Sequence, residues 1–231
     1  MKVAITQRHL KADIGADRDA LENDYTEYYS NFGMTLVPIS NALKNPAKYL
    51  EELKVEAIIL TGGNGVLPSL YGQEIKFKNL FSEKREITEK AIVDYAIKKR
   101  LPILGICRGL HYLNVHFKGS LLQNIKEELK SKVEHVAANH ELKITDKEAE
   151  KLLGKKKILV NSFHNQGITK KMLSPKLKDF AICEGDNTIE AAYHPNYPIV
   201  GITWHPERKS PDGKTNEKLV KAFLNRELFW E

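Results

Sequence analysis

The stretch LPILGICRGLHYLNVHF, residues 101–117, decides the fold. Leu101 to Ile106 is a short apolar run with no polar alternation, the pattern of a strand covered on both faces of a sheet. Cys107 follows at once, framed by Gly105 and Gly109, and a helix-compatible sequence comes after it. This GxCxG has the layout of a nucleophile elbow. In such a sharp strand-to-helix turn the central residue takes a strained backbone, and glycines two positions to either side let the chain pack closely. A cysteine placed there sits at a helix N-terminus, whose partial positive charge favours the thiolate. A free cysteine is more often an inert buried hydrophobe, and Cys183, in the strand-like FAICEG without such a frame, keeps that reading.

Upstream of the elbow, short apolar runs alternate with amphipathic stretches. Val3 to Thr6 and Met34 to Pro38 read as strands, and Leu21, Tyr25, Tyr28 and Tyr29 fall on one helical face. Ala57 to Leu60 is a further strand, ending in Thr61-Gly62-Gly63. A helix carrying Ile87, Ala91, Ile92 and Tyr95 then leads into Leu101. This alternation predicts an α/β fold with a doubly wound, mainly parallel sheet. Downstream, Glu141 to Ile144, Ile158 to Val160, Phe180 to Ile182, Ile189 to Tyr193 and Ile199 to Thr203 are strand-like pieces divided by polar turns, which predicts an antiparallel extension. Leu219, Val220, Phe223 and Leu224 give the last helix an apolar stripe. With no repeat or linker, residues 1–231 are expected to form a single domain.

Composition sets outer bounds. At 42% apolar and 29% charged residues the chain can build a sizeable core, which excludes a disordered class. No apolar stretch approaches the ~18 residues that span a membrane, and MKVAITQRHL lacks the pattern of a secretory leader. A cytoplasmic protein without membrane partners is expected. The net charge of +6 comes from lysines spread along the chain and not interleaved with stacking aromatics, so it reads as a solvated surface and not a nucleic-acid footprint. Two cysteines form no disulfide framework, and without neighbouring Cys/His spacings they form no zinc site.

The nucleophile needs a base. His205 in GITWHPERK ends an apolar strand, and strand C-terminal ends are where open α/β sheets place their sites. In an extended segment positions i and i+2 face the same way, so Glu207 can orient the imidazole, and Pro206 stiffens the segment. His194 lacks an acid two positions on. His111 and His116 belong to the helix after Cys107, and His135 and His140 flank a loop; these read as structural or solvated. Oxyanion donors are available from the glycine-rich turn 61–65 and from the amide of Arg108 in the elbow.

These stretches, with LTGG at 60–63, SLYG at 69–72, GICRGL at 105–110, KGSLLQNI at 118–125, VNSFHNQGI at 160–168 and GITWHPER at 201–208, give a sequence that resembles the class I glutamine amidotransferases, in their γ-glutamyl hydrolase (peptidase C26) branch. The resemblance implies a flavodoxin-like fold and a Cys-His-Glu triad at Cys107, His205 and Glu207. It also implies an oxyanion hole from the amides of Gly63 and Arg108, and a glutamyl pocket partly lined by His164, Asn165 and Gln166. His111 stands where many members carry a glutamine that helps to hold the glutamyl group, so that contact is expected to differ here. The implied reaction is hydrolysis of a γ-glutamyl amide through a thioester, with no metal or organic cofactor. The partner is then a small-molecule γ-glutamyl substrate, γ-aminobutyrate-linked or nucleotide-linked, and a homodimer is compatible with the family. Gln7-Arg8, at the C-terminal end of the first strand, leans toward an anionic leaving group. Two other readings stay open: a glutaminase subunit delivering ammonia to a separate synthase, and a non-catalytic binding protein on the same fold.

Overall fold

The computed structural model describes residues 1–228, so the last three residues of the expected single domain lie outside the described residues. Strand β1 (Lys2–Thr6) is followed by a small hairpin, β2 (Arg8–Leu10) and β3 (Arg18–Ala20), then by helix α1 (Asn23–Ser30), β4 (Thr35–Ile39), α2 (Pro46–Leu53) and β5 (Ala57–Leu60). After a 3-10 turn at Pro68–Tyr71 come α3 (Glu83–Lys99), β6 (Ile103–Ile106) and α4 (Arg108–His116). The second half contains α5 (Ile125–Leu129), β7 (Val136–Ile144), α6 (Lys147–Leu153), β8 (Lys157–Phe163), β9 (Lys178–Cys183), β10 (Ile189–Tyr193), β11 (Ile199–Ile202) and α7 (Gly213–Asn225).

Nine strands form one sheet in the order β4-β1-β5-β6-β11-β10-β9-β7-β8. The first five pair in parallel, and from β10 onward every pairing is antiparallel. Strands β5, β6 and β11 are buried at every position, as continuous apolar runs in a doubly covered sheet should be. One face packs against α1, α6 and α7 through Tyr25, Tyr29, Leu153, Leu219 and Phe223. The other packs against α2, α3 and α4 through Leu50, Ile92, Val93, Leu110 and Leu113. Helices on both faces make the sheet doubly wound. Among the described residues no helix is long and apolar enough to cross a membrane.

The helix carrying Ile87 is α3, where Ile87 is 71% exposed and the N-terminal half of the buried face carries Arg85, Glu86 and Glu89. That half of α3 covers the turn after β5, whose carbonyls need donors, and apolar side chains supply none. His135 and His140 are buried, and His140 lies within β7, which begins five residues before the predicted strand.

The elbow glycines are required by contact. A Cβ on Gly109 would lie 2.4 Å from the Leu60 carbonyl oxygen, and one on Gly105 would lie 2.7 Å from the Gly109 carbonyl carbon. Both obstacles are backbone, so they cannot swing aside. Gly109→Ala should lower stability by about 1–3 kcal/mol, the range for overpacking a close-packed site. An unchanged midpoint in urea denaturation would show that α4 slides freely over β5.

Candidate active site

Neighbouring strands β5, β6 and β11 end side by side, and their C-terminal exits bring three loops together. Cys107 leaves β6 with φ 53° and ψ −108°, a conformation that costs a non-glycine residue roughly 1–3 kcal/mol. Its N–H donates to the Ile202 carbonyl at 2.7 Å, and its own carbonyl accepts the amides of Leu110 and His111 that open α4. The thiol is thereby fixed over the helix N-terminus.

His205 follows β11. Asn161 clamps its backbone, accepting the His205 N–H at 2.8 Å and donating to the carbonyls of His205 and Lys209 at 2.9 and 3.1 Å. The imidazole Nδ1 meets Glu207 Oε1 at 2.6 Å, which leaves Nε2 for the thiol. The His205 ring and Cys107 are hydrogen-bonded to each other. Burial pushes the Cys107 thiol up and the imidazole down, but attraction between the charged forms prevails. Cys107 ends below its ordinary value, and His205, held by Glu207 and the thiolate, rises to about 9. Each charged form thus stabilises the other, which favours a thiolate–imidazolium pair.

The turn after β5 faces this pair. Gly62 donates its N–H to the Tyr25 hydroxyl at 3.0 Å. Gly63 takes φ +109°, open to glycine and strained for other residues, and among the described residues no acceptor meets its N–H. The Arg108 amide hydrogen-bonds the Cys107 sulfur. Behind the turn, the fully buried Arg85 donates to the carbonyls of Thr61 and Gly62, both at 2.8 Å, and its Nε donates to Glu89 at 2.9 Å. Glu89 also accepts from the Arg108 guanidinium, which pairs with Glu86 at 2.9 Å. Arg8 lies across Gly63, where an added Cβ would meet its Nε at 2.8 Å, and its guanidinium pairs with Glu22 at the surface.

Three of the four residues expected in the glutamyl pocket are already engaged or packed. His164 joins Gln166 O through Nδ1 at 2.9 Å and Glu190 through Nε2 at 3.2 Å. Burial lowers its basicity, yet Glu190 outweighs burial and lifts it to about 9. The Gln166 amide spans the backbone of Val66 in both directions, at 2.8 and 3.1 Å. His111 is buried with its ring edge toward His164, and burial keeps it neutral at about 3. Asn165 is exposed.

Sequence reasoning missed Arg85, Glu89, Asn161, Glu190 and Tyr25. The first two lie in SEKREITEK, which reads as a solvated charged face. Asn161 and Glu190 are single polar residues in strands, and only their partners reveal their roles. The sequence pattern of the peptidase C26 family matches residues 3–207. The γ-glutamyl-CDP-amidate hydrolase of Campylobacter jejuni is 30% identical over 231 residues, covering 97% of this chain and 98% of that protein. The γ-glutamyl-γ-aminobutyrate hydrolase of Escherichia coli is 30% identical over 226 residues, covering 91% and 87%. A glutamine amidotransferase structure from Thermotoga maritima shares the fold with a TM-score of 0.60 at 14% identity, covering 97% of this chain and 83% of that one.

Proposed function

This chain belongs to the peptidase C26 family of class I glutamine amidotransferases, and from that premise we propose that it hydrolyses γ-glutamyl amides with Cys107 as nucleophile. The observation that carries the reading is the Cys107–His205–Glu207 line at the C-terminal end of the sheet, with a strained cysteine backbone at its head. The Cys107 thiolate attacks the γ-carbonyl carbon, and the amides of Gly63 and Arg108 receive the developing oxyanion. The tetrahedral intermediate collapses with loss of the amine, which takes its proton from the His205 imidazolium, and a γ-glutamyl thioester remains. Neutral His205 then deprotonates water, hydroxide adds to the thioester, and the thiolate leaves as glutamate forms.

Glu207 orients the imidazole and stabilises its charge but transfers no proton. His205→Ala should therefore lower kcat by about tenfold or more beyond the loss in Glu207→Gln. Equal losses in steady-state kinetics would give Glu207 a different role.

The leaving group on this reading is anionic. Arg8 lies over Gly63 and keeps an exposed guanidinium edge, and both hydrolases named above act on amides whose amine side carries carboxylate or phosphate groups. A mass-spectrometric screen of γ-glutamyl amides for glutamate release, with Cys107→Ala as control, tests the activity. Arg8→Ala should reduce kcat/KM about tenfold for anionic leaving groups and little for neutral ones, the worth of one charge-assisted hydrogen bond. Turnover of glutamine alone, and only in the presence of a synthase, would replace hydrolysis with ammonia delivery.

A further inference from the structure

Beyond His164, the antiparallel extension buries a cluster that the hydrolysis described above does not use. Glu190 on β10 is 1% exposed, and three imidazoles approach its carboxylate. His164 Nε2 lies 3.2 Å away, His140 Nε2 3.6 Å and His135 Nδ1 3.7 Å. The two longer separations exceed hydrogen-bond distance, and His140 has no hydrogen-bond partner at either ring nitrogen, nor has His135 at Nδ1. Buried imidazole nitrogens left unpartnered are costly. The ligand atoms of His135, His164 and Glu190 instead lie within 4.8 Å of one another, close enough to hold one metal ion. With zinc bonds of about 2.0–2.2 Å, ligand atoms stand roughly 3.3–3.6 Å apart.

The surroundings orient these atoms as metal ligands are oriented. His135 Nε2 is held by Asp186 at 2.8 Å, and Asp186 is itself held by Ser131 at 2.6 Å. His164 Nδ1 donates to the Gln166 carbonyl, which turns Nε2 toward Glu190. Thr188 and Thr203 donate to the Glu190 carboxylate. A carboxylate on the outer nitrogen of His135, a carbonyl on that of His164, and hydrogen bonds on the ligating carboxylate are the usual second layer of a metal site. A cleft of about 210 Å³, lined in part by Asn124, Glu134, His135 and His164, leads to the cluster from solvent.

We propose that His135, His164 and Glu190 bind one divalent transition-metal ion, zinc by the character of the donors. Three protein donors leave one tetrahedral position for a water, which the cleft can supply. The ion ties the residue preceding β7 to β10 and to the segment after β8. The ligands are spread over more than fifty residues and three strands or loops, which is why no short spacing announced them. Metal binding displaces the proton otherwise shared by His164 and Glu190.

Metal titration of the Cys107→Ala chain tests this, since the nucleophile can then contribute no thiolate. After chelator treatment and dialysis, cobalt(II) should bind at one equivalent with the intense visible bands of a tetrahedral nitrogen–oxygen site and no thiolate charge-transfer band, and zinc should compete for it and raise Tm. His135→Ala, which removes one donor nitrogen, should weaken cobalt binding at least about tenfold, with the metal-free circular dichroism reporting that the fold is kept. The titration of the intact cluster is decisive even if that variant folds poorly. Absence of saturable binding would make the cluster a hydrogen-bonded network only and overturn the proposal. A thiolate band lost in Cys183→Ser would overturn it as well, because Cys183 also lies within ligand reach of His135 and His140.

Discussion

Replacing Cys107 with alanine should lower kcat by at least about 10⁴-fold, with the folded state kept, because no other group near the scissile bond can carry the acyl intermediate. The pH behaviour separates this role from a merely structural one. Cys107 titrates below its ordinary value, and His205 titrates at about 9. The working pair is thiolate with imidazolium, so kcat/KM should rise with pH as Cys107 deprotonates and fall as pH passes about 9, where His205 loses its proton. Iodoacetamide should alkylate Cys107 on the same rising limb. His205→Ala removes the strongest partner that holds the thiol down and leaves burial opposed only by His164 and the Arg108 amide, so the alkylation midpoint must move upward. A midpoint unmoved by that substitution would mean that the thiolate is held by the helix N-terminus and the neighbouring amides, and that His205 is not its partner.

The parts of this site legible in the sequence are those where one local pattern dictates one local geometry. Gly105, Cys107 and Gly109 specify a tight strand-to-helix crossing, and the structure needs both glycines because backbone atoms occupy the space a Cβ would take. His205 and Glu207 are two apart after a strand, so their meeting is a local event too. The parallel half of the sheet was legible for the same reason, since buried strands such as Ala57–Leu60 are apolar without interruption. What stayed hidden depends on distant partners. Arg85, Glu86 and Glu89 look solvated because helix periodicity scores charge as surface, and they are buried because two arginines and two glutamates neutralise one another. Asn161 reads as an ordinary strand residue until His205, 44 positions away, supplies its partner.

Arg85→Ala should be the most damaging change outside the triad. The guanidinium is the link between the carbonyls of Thr61 and Gly62 and the carboxylate of Glu89, which in turn holds the Arg108 side chain of the elbow. One carboxylate thus joins the two turns whose amides receive the oxyanion in the mechanism proposed above. Burial alone would raise the Glu89 carboxyl, and the two arginines overcome it and hold it below its ordinary value, so it is ionised at neutral pH. Removing Arg85 strips that charge of one partner and leaves two carbonyls without donors, a loss of about 3–5 kcal/mol for a broken buried pair. If the chain stays folded, the Gly63 amide loses its brace and kcat should fall about 10²–10³-fold, the effect of one oxyanion donor, with KM little changed. Arg85→Lys supplies a single-point donor that cannot reach both carbonyls and the carboxylate together, so it should recover folding better than turnover. Alkylation of Cys107 by iodoacetamide should be normal in both variants, because the Cys107–His205 pair does not touch Arg85. A full kcat in Arg85→Lys would remove Arg85 from the catalytic geometry and leave it a role in stability alone.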